Sequence, residues 1–182
     1  MKATQQLKDE HEGIRAMLNI LEKVSEKLER TGAVEKEHFD GILEFLETFV
    51  DRCHHAKEED VLFPAMVALS DEARAPNAAM RAEHATGRGY VRSMSRAYAA
   101  HVEGDVPSSR DITENARAYV SLLRDHIVKE NDVLFEVVDK TFSHEKQDEL
   151  FEGFERIEEE RIGRGKHEEF HGLLDKLGAI YM

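Results

Sequence analysis

Apolar residues recur at steps of three and four along most of the chain, the spacing of one face of an α-helix. Leu7, His11, Ile14, Leu18, Leu21 and Leu28 form the first stripe. Phe39, Leu43, Leu46, Val50, His54, Glu58 and Val61 form the second. Met80, His84, Gly87, Val91, Met94 and Tyr98 form the third, and Ile112, Tyr119, Leu122, His126, Glu130 and Val133 the fourth. The pattern predicts six helical segments. The first covers about residues 4–30 and is broken by "TGAV". The second covers about 34–69, with Pro64 bending it or marking its last turns. "SDEARAPN" is a turn and a fresh start, with Asn77 as the expected cap of a third helix reaching about 103. "GDVPSSRD" is the clearest loop, and a fourth helix covers about 112–140. A fifth opens near Ser143, "GRG" interrupts it, and a sixth finishes the chain. The expected fold class is all-α: a four-helix bundle over 1–142 with a C-terminal helical extension, 143–182, packed on it.

Each of the four long stripes carries a histidine, and two carry a glutamate one turn after it. Those polar residues repeat. "HHAKEEDVLF" (54–63) returns as "HIVKENDVLF" (126–135), 72 positions on. "LKDEHEGIR" (7–15) echoes "MRAEHATGR" (80–88) at 73. The chain therefore reads as two helix pairs of one pattern, a lone His on the first helix and His-x-x-x-Glu on the second. Stacked, they make a four-helix bundle with approximate two-fold symmetry. The repeat also chooses within the doubled letters: His126 falls on His54 and Glu130 on Glu58. His55 and Glu59 fall on Ile127 and Asn131, which cannot do the same chemistry, so they are expected to be solvated neighbours.

An isolated inward histidine is ordinarily a hydrogen-bonded core residue, and a single His–Glu pair is often a surface contact. Four histidines and two glutamates on matched inward faces are costly unless paired or metal-bound. No Lys or Arg shares the stripes, so a pair of cations is the expected partner. A mixed N/O set without thiolate suits iron or manganese and argues against a structural zinc site.

Composition narrows the function. The net charge of −13 disfavours a nucleic-acid backbone or an anionic membrane as partner. No apolar run approaches the roughly 20 residues of a spanning helix, and the start has no signal-peptide core. The single cysteine, Cys53, excludes an internal disulfide, and a cytoplasmic protein is the plain reading.

Together, "DEH", "HHAKEEDVLF", "AEH" and "HIVKENDVLF" resemble the hemerythrin-like (HHE cation-binding) domain over about residues 3–140. The resemblance implies an up-and-down four-helix bundle holding two iron ions, oxo- or hydroxo-bridged, with manganese or zinc as substitutes. It implies His11, His54, Glu58, His84, His126 and Glu130 as ligands, with Glu58 and Glu130 bridging. Two departures weigh against reversible oxygen carriage. The carriers have a second His one turn after the third-helix His, where this chain has Arg88. They end in His-x-x-x-x-Asp, where this chain has His126-x-x-x-Glu130. In the tail, His167 shares a stripe with Phe170, Leu174 and Leu177 and is a candidate fifth histidine ligand. The competing reading is a helix that merely caps the bundle, with His167 and His171 at its wet edge.

The expected function is a non-haem diiron protein that binds or reacts with oxygen, peroxide or nitric oxide. An iron sensing, storage or iron-centre repair module without turnover is the alternative, and a metal-free interaction bundle the third. The sequence leaves the oligomeric state open.

Overall fold

The computed structural model describes residues 2–182 and contains six helices and no strand among them. Helix α1 is Ala3–Thr31. Helix α2 is one continuous rod over residues 36–69, α-wound at Lys36–Glu44 and Phe63–Leu69 and π-wound at Phe45–His55 and Lys57–Leu62. A 3-10 turn, Asp71–Ala73, leads into α3, Arg74–Val102. Helix α4 covers residues 108–141: α at Ser108–Lys129, π at Glu130–Leu134, α again at Phe135–Thr141. Helices α5, His144–Arg161, and α6, Lys166–Tyr181, complete the chain. Short connections make α1–α4 an up-and-down bundle, as the family resemblance implies. No helix is long and apolar enough to cross a membrane, among the described residues.

Local chemistry sets the ends. Gly32 closes α1 at φ 69°, a left-handed position that costs a residue with a Cβ, and its N–H bonds the Leu28 carbonyl. Ser143 caps α5 by accepting from the Lys146 N–H, a contact worth about 1 kcal/mol. Asn77 does not cap α3. It lies three residues inside the helix, buried, and its Nδ2 donates to the Phe63 carbonyl on α2. Ser70 caps the preceding 3-10 turn instead.

The core has two apolar clusters with the polar site between them. Ile14, Leu18, Leu21, Phe39, Phe45, Met94 and Tyr119 lie in one, and Leu7, Leu62, Phe63, Phe135 and Val138 in the other. Helix α6 adds Phe170 and Leu177 to the first cluster. Helix α5 adds Leu150 and Phe154 to the second. The π windings change the register of the stripes. Each π turn takes up roughly one extra residue, so positions beyond it rotate relative to a pure α pattern. Val133, expected inward, is 63% exposed, and its neighbours Leu134 and Phe135 are buried in its place. Val61 is only half-buried for the same reason, while Leu62 and Phe63 are fully inside.

Candidate metal centre

Four histidines converge from four helices. His11 on α1 and His54 on α2 bring their Nε2 atoms to 2.9 Å. His84 on α3 and His126 on α4 do the same, also at 2.9 Å. All four are at most 2% exposed. Glu58 and Glu130, both 0% exposed, lie between the two pairs. Glu130 Oε2 is 3.2 Å from His11 Nε2, and its Oε1 is 3.0 Å from His126 Nε2. Glu58 Oε1 is 3.5 Å from His54 Nε2, and its Oε2 is 3.4 Å from His84 Nε2. Each carboxylate thus offers one oxygen to each histidine pair. The sequence-predicted six come together in one buried site.

The outer nitrogens fix what the inner ones can do. His11 Nδ1 donates to Asn131 Oδ1, His54 Nδ1 to Glu10 Oε2, His84 Nδ1 to Glu59 Oε1 and His126 Nδ1 to Glu83 Oε2, at 2.7–2.8 Å. All four partners accept through oxygen, so each Nδ1 carries a proton, and in the neutral ring Nε2 then presents its lone pair inward. Metal-binding histidines are oriented by such outer acceptors. Two lone pairs 2.9 Å apart repel unless a cation lies against both. The same holds for the carboxylates: both oxygens of Glu58 and both of Glu130 are buried without a hydrogen-bond donor. Burial and the neighbouring Glu130 push the Glu58 carboxyl well above its ordinary range. Burial acts the same way on Glu130, but His126, His11 and His84 outweigh it and hold that carboxyl well below. Burial lowers His54 to about 4. These are the marks of a cation site: buried carboxyl oxygens without a donor, set among converging imidazole nitrogens.

The expectation that His55 and Glu59 are solvated is wrong. His55 is 3% exposed and stacks on His84 with ring centroids 3.8 Å apart. It groups with Glu58, His84 and His126 as a possible ligand set, as His11, His54, Glu58 and Glu130 form the other. Its Nε2 is buried without a partner. The cause is the π winding at Phe45–His55, which lets two adjacent residues face the interior. Glu59 and its repeat partner Asn131 do share a role, each accepting from the histidine of the other helix pair. Glu10 and Glu83 are likewise paired by the repeat, as are Lys57 and Lys129, which contact them. The letters "DEH" and "AEH", and the Lys inside "HHAKEE" and "HIVKEN", carry this outer layer.

His167 joins neither group. Its Nδ1 lies 3.3 Å from Glu158, and Glu158, Lys57 and Glu10 stand between it and His54. The fifth inward histidine is His55.

Arg88, noted above as a departure from the oxygen carriers, ties two outer acceptors together. Its Nε donates to Asp51 Oδ1 and its Nη2 to Glu59 Oε1, at 2.5 and 2.7 Å. Asp51 faces His55 Nδ1 at 3.5 Å and Glu59 accepts from His84. Arg88→Ala should therefore weaken metal binding on the His55/His84 side about 10–100-fold, read by chelator competition. Unchanged affinity would reduce Arg88 to a surface cross-link.

The family model for the hemerythrin HHE cation binding domain matches residues 2–138. No curated protein and no solved structure matches the chain.

Proposed function

The chain belongs to the hemerythrin HHE cation-binding family, and we propose that it is a non-haem diiron protein that binds or reacts with a small molecule: oxygen, peroxide or nitric oxide. The observation that carries this reading is the set of four orphaned oxygens on Glu58 and Glu130, set between two pairs of opposed imidazole lone pairs. His11 and His54, with one oxygen of each glutamate, would hold one ion. His84, His126 and His55, with the other oxygens, would hold its partner. Mixed nitrogen and oxygen donors without thiolate favour iron, with manganese or zinc as substitutes. Bound there, the ions supply redox change and Lewis acidity.

The protein's own residues do the rest. Glu10, Glu59, Glu83 and Asn131 hold the outer nitrogens' protons and aim the inner nitrogens at the site. Two histidines on one side against three on the other leave the His11/His54 side with fewer donors. The apolar clusters above and below keep bulk water out. A cavity of about 220 Å³, lined by His55, Arg88, Asp51, Val91 and Tyr119 among others, touches the site from outside. It is smaller than the roughly 300–1,000 Å³ of an organic-ligand pocket, which favours a small molecule.

Metal analysis of the purified protein tests this. About two irons per chain and near-ultraviolet absorption of a ferric pair are expected. A single tightly held zinc, or no metal, would overturn it. The module without turnover rests on the acidic balance of −13, which suits cation attraction. Sustained peroxide or nitric oxide consumption per site separates the two readings.

A further inference from the structure

The two halves of the site are built from one repeat, yet their outer layers differ. On the second half, Lys129 contacts Glu83 at the surface, with the lysine side chain 49% exposed. On the first half, the equivalent Lys57 is 0% exposed and Glu10 beside it 2%. A buried ammonium is costly unless carboxylates meet it. Lys57 Nζ has two: Glu10 Oε1 at 2.5 Å and Glu158 Oε2 at 2.8 Å. Glu10 is a bundle residue, but Glu158 comes from α5, beyond residue 138 where the family match ends. The contacts run without a break from the C-terminal extension to the centre: Glu158 to Lys57, Lys57 to Glu10, Glu10 to His54 Nδ1 at 2.8 Å.

Helix α5 is held in the register this requires. Leu150 and Phe154 are buried in the second apolar cluster. Arg161 bonds Asp60 on α2 at 3.1 Å. At Gly153 the backbone approaches α2 so closely that a Cβ would stand 2.8 Å from Val61 Cγ1. This contact lies between Leu150 and Glu158 on the same helix, so the carboxylate is carried on a firmly seated rod.

We propose that Glu158 is a positioning residue of the metal centre, acting through Lys57 and Glu10 to set the ring of His54. The inference rests on the metal reading above. With Glu158 in place, Lys57 is drawn from both sides and holds Glu10 in the orientation that accepts from His54. Without its charge, Lys57 turns wholly to Glu10 and the acceptor behind His54 shifts. The His11/His54 side alone depends on the extension, so its metal affinity is set partly from outside the family domain.

The test compares four full-length proteins loaded with ferrous iron without oxygen: wild type, Glu158→Gln, Glu10→Gln and the double variant. Glu160→Gln, an exposed site on the same helix, controls for lost charge. Chelator competition reads the affinity of each of the two sites, and the near-ultraviolet bands read the ferric pair after oxidation. Glu158→Gln keeps the side chain's volume, so helix content should match wild type. It should weaken one of the two sites about tenfold and shift the bands, while Glu160→Gln leaves both unchanged. Because Glu158 acts through Glu10, the double variant should bind no more weakly than Glu10→Gln alone. Wild-type affinity in Glu158→Gln, or losses that simply multiply in the double variant, would overturn the inference while leaving the metal reading intact. A wild type that takes up no iron overturns both.

Discussion

Glu58→Gln should abolish metal loading and, in the metal-free protein, raise stability. The two effects have one cause. Without metal, Glu58 is a fully buried carboxyl facing Glu130, with neither oxygen satisfied. Replacing a buried, unpaired acid by its neutral isostere removes that penalty, about 1–3 kcal/mol. At this chain length each kcal/mol moves the melting temperature by roughly 2–4 °C. Bound metal reverses the order, since a ligand at 1,000 times its Kd adds about 4 kcal/mol to the wild type only. The pH dependence has a definite sign. Burial and Glu130 raise the Glu58 carboxyl above its ordinary 4.5, so the folded chain keeps that proton over a window where the unfolded chain has lost it. Folded protein then binds more protons, and stability falls as pH rises through the window. The advantage of the Gln variant should therefore be small below about pH 4.5 and grow above it. Melting curves of the two metal-free proteins across that range measure it. Equal curves, or metal retained by the variant, would show that Glu58 is not a ligand.

The sequence disclosed the inner site through symmetry rather than through any single motif. His54 with His126, and Glu58 with Glu130, could be chosen because a repeat states each requirement twice. The same reasoning misjudged His55, whose repeat partner is Ile127, because the site is less symmetric than the chain that builds it. Helical periodicity compounded this. An α-helical count turns His55 away from His54, and only π winding brings both inside. The exposed Val133 follows from the separate π winding at Glu130–Leu134. The outer acceptors were legible in principle. Glu10 with Glu83, and Lys57 with Lys129, recur at the same offsets as the histidines. In a sequence, a charged residue beside a candidate ligand reads as solvated until its partner helix is known. Asn77 shows the same limit for the fold. A capping residue and a buried hydrogen-bonding residue look alike in a sequence, and the Phe63 carbonyl decided between them. Nothing in the tail's spacing could reveal that Glu158, rather than His167, faces Lys57. That depends on the close approach at Gly153, which is a property of packing.

His55→Ala should weaken metal binding on the His84 side, while His167→Ala should leave it unchanged. The two histidines competed for one role, and their surroundings separate them. His55 lies within the group formed with Glu58, His84 and His126, buried, with Asp51 facing its Nδ1 and nothing meeting its Nε2. Burial lowers its basicity well below the ordinary value, so it offers a lone pair rather than a charge. Removing that ring leaves two imidazoles and two carboxylate oxygens on the His84 side, and opens a space beside His84 that water can fill. The His84 side should then release its iron to a chelator about 10–100-fold more readily, and the bands of the ferric pair should shift. His167 is 31% exposed and leans on Glu158 and Phe49. Its loss should leave iron content and bands unchanged, because Glu158 still meets Lys57. The reverse result, with wild-type affinity in His55→Ala and weakened binding in His167→Ala, would mean that the tail rearranges to enter the bundle when metal binds. Wild-type affinity in both would limit the site to the six residues the repeat selects, with His55 a packing residue stacked on His84.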